Sequence, residues 1–162
     1  MDHPSPTIAQ RALVAGSCAS VLSAAVLALA GQREAGSAAA PINAVSHWYW
    51  GDRAFRQQGP DVLHTALGYA THHSASIFWA ALLAWYLHRH PQRNSPAQLA
   101  VASVATSAIA CLVDFRFTPD RLTPGYEHRL SRKALAATYA VFAVGLALGA
   151  LLTTRRGSAR PR

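Results

Sequence analysis

Charge is partitioned along this chain in a way that water-soluble folds rarely show. Arg11 and Arg33, Asp61 and Arg89, Arg93 and Asp114, and Lys133 and Arg155 each bracket a stretch free of Asp, Glu, Lys and Arg. Each stretch holds about 20 residues or more, enough for a helix to cross roughly 30 Å of hydrocarbon. A single run of this kind fits a buried core helix. Four of them in 162 residues leave too little polar sequence to cover them in water. Only 14% of residues are charged, against about 25% in a typical soluble domain. The sequence therefore predicts an all-α, integral membrane four-helix bundle. Its spans lie at about 12–30, 61–88, 96–115 and 134–153, within one transmembrane domain, 12–154. An N-terminal tail covers 1–11 and a basic C-terminal tail covers 155–162.

The net charge of +8 raises the question of nucleic acid. The basic residues, however, sit at the ends of apolar runs, where Lys and Arg meet lipid headgroups. No nucleic-acid motif accompanies them. The expected partner is the lipid bilayer, with no nucleic acid. Cys18 falls near the middle of the first span and Cys111 near one end of the third, too far apart for a disulfide. Both read as small buried thiols.

Taken in order, the first span carries Ala12, Gly16, Ser20, Ala24 and Ala28 at intervals of four. Small residues so spaced let helix backbones approach closely. A secretory signal ending at Ala28-Leu29-Ala30 is the competing reading, and Asp2, offsetting Arg11, argues against it. A long connection follows, with His47-Trp48-Tyr49-Trp50 resembling an aromatic belt at a membrane boundary. A short interfacial or re-entrant segment is expected over about 41–56, between spans 1 and 2. At membrane depth such a segment needs cover from protein or water.

The second span sets His64, Gly68, His72, Ser76, Ala80, Ala84 and His88 four apart, a small or polar line bordered by Ile77, Phe78, Trp79, Leu82 and Leu83. The short loop after His88 returns the next helix antiparallel beside it. Ser95-Pro96 is a good helix start, a cap residue followed by proline in the first turn. In the fourth span Gly145 and Gly149 form a second close-packing pattern. The two small-residue seams suit a homo-oligomer. The unopposed clusters Arg89/Arg93 and Arg155/Arg156/Arg160/Arg162 place both termini in the cytoplasm and the protein in the cell inner (plasma) membrane.

Ionisable groups inside a membrane point to function by default. By rise per residue, His72 and His73 lie near mid-membrane, level with Cys18, Ser20 and Ser103. Asp114 comes level with His64, and a His64–Asp114 contact is the leading expected pair. The candidate polar site is His64, His72, His73, Ser76 and Asp114. Gly16, Ser20, Gly68, Gly145 and Gly149 are the candidate packing positions. The competing structural reading has the histidines joining helices through serines, with Arg116 and Arg121 holding Asp114 at the interface.

Four functions compete. Histidine is the commonest metal ligand, but a bis-histidine haem would have to pair His72 or His73 with His47 or a loop residue. His72-His73 resembles part of the histidine boxes of membrane di-iron desaturases and hydroxylases, yet the HxxxH and HxxHH repeats are missing. A transport or proton-relay role fits a polar path along His64, His72, His73, Ser76 and Asp114. A structural or accessory scaffold is the alternative. No GxSxG or comparable nucleophile element appears, and Glu127-His128 reads as solvated. The residues call for neither an enzyme nor a cofactor, and no metal ligand set can be named.

His47-Trp48-Tyr49-Trp50-Gly51-Asp52, the stretch 68–79 around His72-His73, and Arg121-Leu122-Thr123-Pro124-Gly125-Tyr126-Glu127 are similar to segments of uncharacterised four-helix inner-membrane proteins of bacteria. The resemblance implies an integral membrane fold and no particular reaction.

Overall fold

The computed structural model describes residues 6–158, and the side chains of 6–154. All regular structure among them is helical.

Helix α1 (Ile8–Glu34) opens on a reciprocal cap. The Gln10 N–H donates to Thr7 Oγ1 at 3.2 Å, and the Thr7 N–H donates to Gln10 Oε1 at 2.9 Å. This satisfies two of the donors that a helix start leaves orphaned. It starts the helix at Ile8, inside the stretch expected to be a tail. Two short helices follow, α2 (Ala40–Val45) and α3 (His47–Trp50), and then a 3₁₀ turn, Gly51–Arg56. All six α2 residues are buried.

Helix α4 (Leu67–Arg89) is preceded by a π turn, Val62–Ala66, capped by Asp61. Helix α5 (Pro96–Leu112) starts on a Ser95–Gln98 capping box and runs into a second π turn, Val113–Phe117. Helix α6 (Arg132–Ser158) extends beyond the expected fourth span at both ends, into the stretch read as a basic tail. Its start is held from afar. Glu34 at the end of α1 accepts the Ser131 N–H at 2.6 Å and the Ser131 hydroxyl at 2.9 Å. A carboxylate beside a helix N-terminus also meets the positive end of the helix dipole.

Helix α1 is central, packed along α6 on one side and α4 on the other, while α5 leans on α6 and only lightly on α4. The short α4–α5 loop predicts those two side by side, and the structure holds them apart. Antiparallel succession fixes direction but leaves open how closely the pair packs. The tight contacts are made at glycines. A Cβ on Gly145 or Gly149 would fall onto the backbone of Ala19 or Ala15, and one on Gly16 would come within 2.7 Å of Ile77 Cα. Gly68 lies against the Ile42 carbonyl of α2. Ser20, between these seams, is fully buried.

Two apolar clusters fill the bundle. One gathers Ala15, Ala19, Leu83, Leu87, Leu99, Phe142 and Leu146. The other gathers Leu27, Ile42, Val45, Tyr126, Leu130 and Ala134. Along each helix a polar layer separates them: Ser20 and Ser23 on α1, Thr71 and Ser76 on α4, Ser103 and Ser107 on α5, Thr138 on α6.

Among the described residues three stretches are long and apolar enough to cross a membrane: Ile8–Glu34, Pro96–Phe117 and Arg132–Thr154. Large apolar side chains such as Leu29, Val101, Val104, Ile109 and Leu152 face outward from them. That is the inverse of a soluble fold, where extended exposed apolar surface is rare. The length and composition of these helices suggest a membrane protein. The expected second span is not among them, because the histidines, serines and tyrosines of α4 dilute its apolar character.

Candidate functional cavity

The loose seam between α4 and α5 opens into a cavity of about 570 Å³, reaching α1, α3, α6 and the loop before Tyr126. His72 and Ser76 enter it from α4, and Asp114 from the π turn that ends α5.

His72 Nε2 lies 3.0 Å from Ser23 Oγ on α1. The Ser23 hydroxyl also lies 2.7 Å from the Ala19 carbonyl. A hydroxyl has one proton to donate. When it goes to Ala19, the His72 proton sits on Nε2 and points at Ser23. Ser76 donates to the His72 carbonyl at 2.8 Å, a bond one turn back along its own helix.

Asp114 accepts from the Tyr139 hydroxyl at 2.6 Å, and the Tyr126 hydroxyl donates to that of Tyr139 at 3.2 Å. The result is an aligned chain of donors ending on a carboxylate, where a hydrogen bond is strongest. Burial pushes the Tyr126 phenol well above its ordinary range, so it keeps its proton and acts as a donor. Ser107 donates to the Tyr139 carbonyl at 2.6 Å, tying α5 to α6 at this level. Among the described residues neither Arg116 nor Arg121 forms an ion pair with Asp114.

The loop that carries Tyr126 depends on Gly125. Its φ of +88° suits glycine, and a Cβ there would strike the Ala44 carbonyl and the His47 ring. Trp48 clamps the same loop by donating to the Thr123 carbonyl at 2.9 Å. Tyr49 lies 3.2 Å from Thr71 Oγ1, and Trp50 donates to the Leu63 carbonyl at 3.3 Å. The aromatic cluster expected to form a belt braces the loop and the start of α4.

The structure brings His72, Ser76 and Asp114 to one cavity and leaves His64 and His73 outside its lining. The expected His64–Asp114 pair is not formed. His64 Nδ1 lies 3.0 Å from Asp61 Oδ2, and the His64 N–H donates to Asp61 Oδ1 at 2.7 Å. A partner three residues away in the same first turn requires almost no loop closure, and it prevails over a distant one at equal depth. His73 stacks on Tyr69 with ring centroids 5.8 Å apart, and its Nδ1 is buried without a hydrogen bond.

Ser23, Tyr126 and Tyr139 were missed as site residues. Tyr139 had a signal, since Thr138-Tyr139 stands alone in the otherwise apolar run 134–152. Among the described residues no three His, Cys, Asp or Glu side chains converge as metal ligands do. No known protein family, curated protein sequence or solved structure matches this chain.

Proposed function

We propose that the chain is a four-span inner-membrane protein with both termini in the cytoplasm. On this reading α4 is the remaining span, and the cavity serves transport or proton relay without enzymatic chemistry. Support for α4 as a span comes from its two faces. Phe78, Leu82 and Trp85 are apolar and exposed, Trp85 away from the cavity and Phe78 beside it. Within its polar line Gly68 packs on α2, His72 meets Ser23 of α1, and Ser76 is buried beside the cavity. A span of mixed character is tolerated where its polar groups face protein or water instead of lipid.

The observation that carries the functional reading is that His72 and Asp114, each at the end of its own hydrogen-bonded cluster, line the same cavity. Two short donor chains facing one chamber can hand a proton or a small polar solute across it. The small-residue seams are already occupied between α1, α4 and α6. A homo-oligomer would therefore use another face.

The test is reconstitution into liposomes loaded with a pH-sensitive dye, under an imposed pH gradient. Flux above that of empty liposomes is expected, falling about tenfold or more in His72→Phe and in Asp114→Asn, as for loss of a proton-transfer group. Flux equal to that of empty liposomes would leave the scaffold role instead.

A further inference from the structure

We propose that the cavity binds a hydrophobic monovalent cation, taken up in exchange for a proton at Asp114. This rests on the reading of the cavity as a transport site and names its solute.

The argument begins with a charge that lacks a partner. Asp114 accepts a hydrogen bond from Tyr139, but among the described residues it has no basic partner, and no Lys or Arg lines the cavity. A neutral phenol solvates a carboxylate without cancelling its charge. In surroundings poor in water the remaining charge calls for a proton or a cation. Glu127 adds to the negative field at Asp114; its Oε1 lies 3.9 Å from His128 Nε2 and its Oε2 is buried without a hydrogen-bond partner. An anion or a carboxylate-bearing solute would meet repulsion here.

The walls supply the second half of the recognition. Trp48, Tyr49, Phe78, Trp79, Tyr139 and Phe142 line the same space. Aromatic faces attract cations, more strongly where water is excluded, and they also bury apolar groups carried by the cation. A volume of about 570 Å³ falls within the roughly 300–1,000 Å³ usual for small-molecule sites. The loose α4–α5 seam leaves a lateral way in for a solute already dissolved in lipid.

The exchange balances simply. The protonated Asp114 carboxyl gives up its proton as the cation arrives, and the site's net charge is unchanged. The other titratable groups facing Asp114 are Cys111 on its own helix, His72 across the cavity, Tyr49 on α3, Tyr126 and Glu127 on the loop, and Tyr139 on α6. Protonation of His72 at low pH would repel a cation, so it acts in the same direction as protonation of Asp114.

The experiment uses the purified full chain in a neutral detergent, with tetraphenylphosphonium as probe and tetraphenylborate as an anion of the same shape. Equilibrium dialysis should show saturable binding of the cation and only unsaturable partitioning of the anion. Over the pH range where Asp114 is protonated, the affinity for the cation should fall about tenfold for each pH unit by which the pH is lowered, as linkage to one proton requires. One proton should appear in weakly buffered solution per cation bound. Asp114→Asn should bind at least about tenfold more weakly, whereas Asp114→Glu and the remote Asp52→Asn should retain binding. Saturable binding of both ions, or pH-independent binding of the cation, would overturn the proposal in the unmutated protein, whatever the folding of the variants. Proton flux that depends on His72 and Asp114, without cation binding, would overturn this proposal and leave the relay intact. Cation binding with proton release, but no flux in its absence, would support the exchange and remove the simple relay.

Discussion

The seam between α1 and α6 and the seam between α4 and α5 are built on opposite rules. In the first, Gly145 and Gly149 lie against the backbone of Ala19 and Ala15, with no room for even a methyl group. In the second, α4 presents Phe78, Trp79, Leu82 and Tyr86, and the helices stand apart around two cavities, of about 570 and 690 Å³. Within lipid, helix association draws on van der Waals contact and polar links, because the tails are as apolar as the side chains. Glycine maximises that contact. Bulky aromatics opposite Ala102 and Ala105 prop the partner away and create space. One chain thus has a rigid half and an open half, set by side-chain size.

The comparison can be broken most severely at Gly149. Gly149→Leu forces a side chain into the backbone of α1. Overpacking costs roughly 1–3 kcal/mol and occasionally more, and the upper end is expected where the neighbour is main chain. Thermal unfolding in detergent should show loss of most of the folded protein. The next largest effect is expected from Tyr139→Phe, which removes the hydroxyl that Asp114 accepts from. Leaving a half-buried carboxylate without its donor costs about 1–3 kcal/mol, read as a lowered melting temperature. Glu34→Gln loosens the end of the tight seam by weakening the charged cap on α6. A small loss of stability is expected, read as a slightly lowered melting temperature and diminished by added salt. The smallest effect on stability belongs to Ala105→Phe, whose new side chain enters the open groove and stays within roughly 0.5 kcal/mol of the parent. The same substitution should still slow entry of a lipid-borne solute, measured as a reduced on-rate for tetraphenylphosphonium. If Ala105→Phe destabilises as much as Gly149→Leu, the contrast between the seams is wrong.

What the sequence revealed and what it hid follow the same division. The existence and approximate extent of the long helices were legible, because charges bracket the apolar runs. The approach of α6 to α1 was foreshadowed by the four-residue spacing of Gly145 and Gly149. Azimuth and pairing were not legible. His64 and Asp114 come level by counting, yet a π turn and a local carboxylate direct His64 to Asp61. His72 meets Ser23, one turn beyond the Ser20 that depth matching named. Helix limits were read short at Ile8 because a capping box through Thr7 and Gln10 carries no hydrophobic signal. The second span was read from the absence of charge, and uncharged is not the same as apolar when the polar atoms are imidazoles and hydroxyls.

The clamp of Glu34 on Ser131, together with the glycine contacts beneath it, fastens α1 to α6 both at one end and along the shaft. Such a pair behaves as a single beam. A working cycle that widens the chamber would then find its least resistance in α5, hinged at the short loop after His90 and latched to the beam by the Ser107–Tyr139 hydrogen bond.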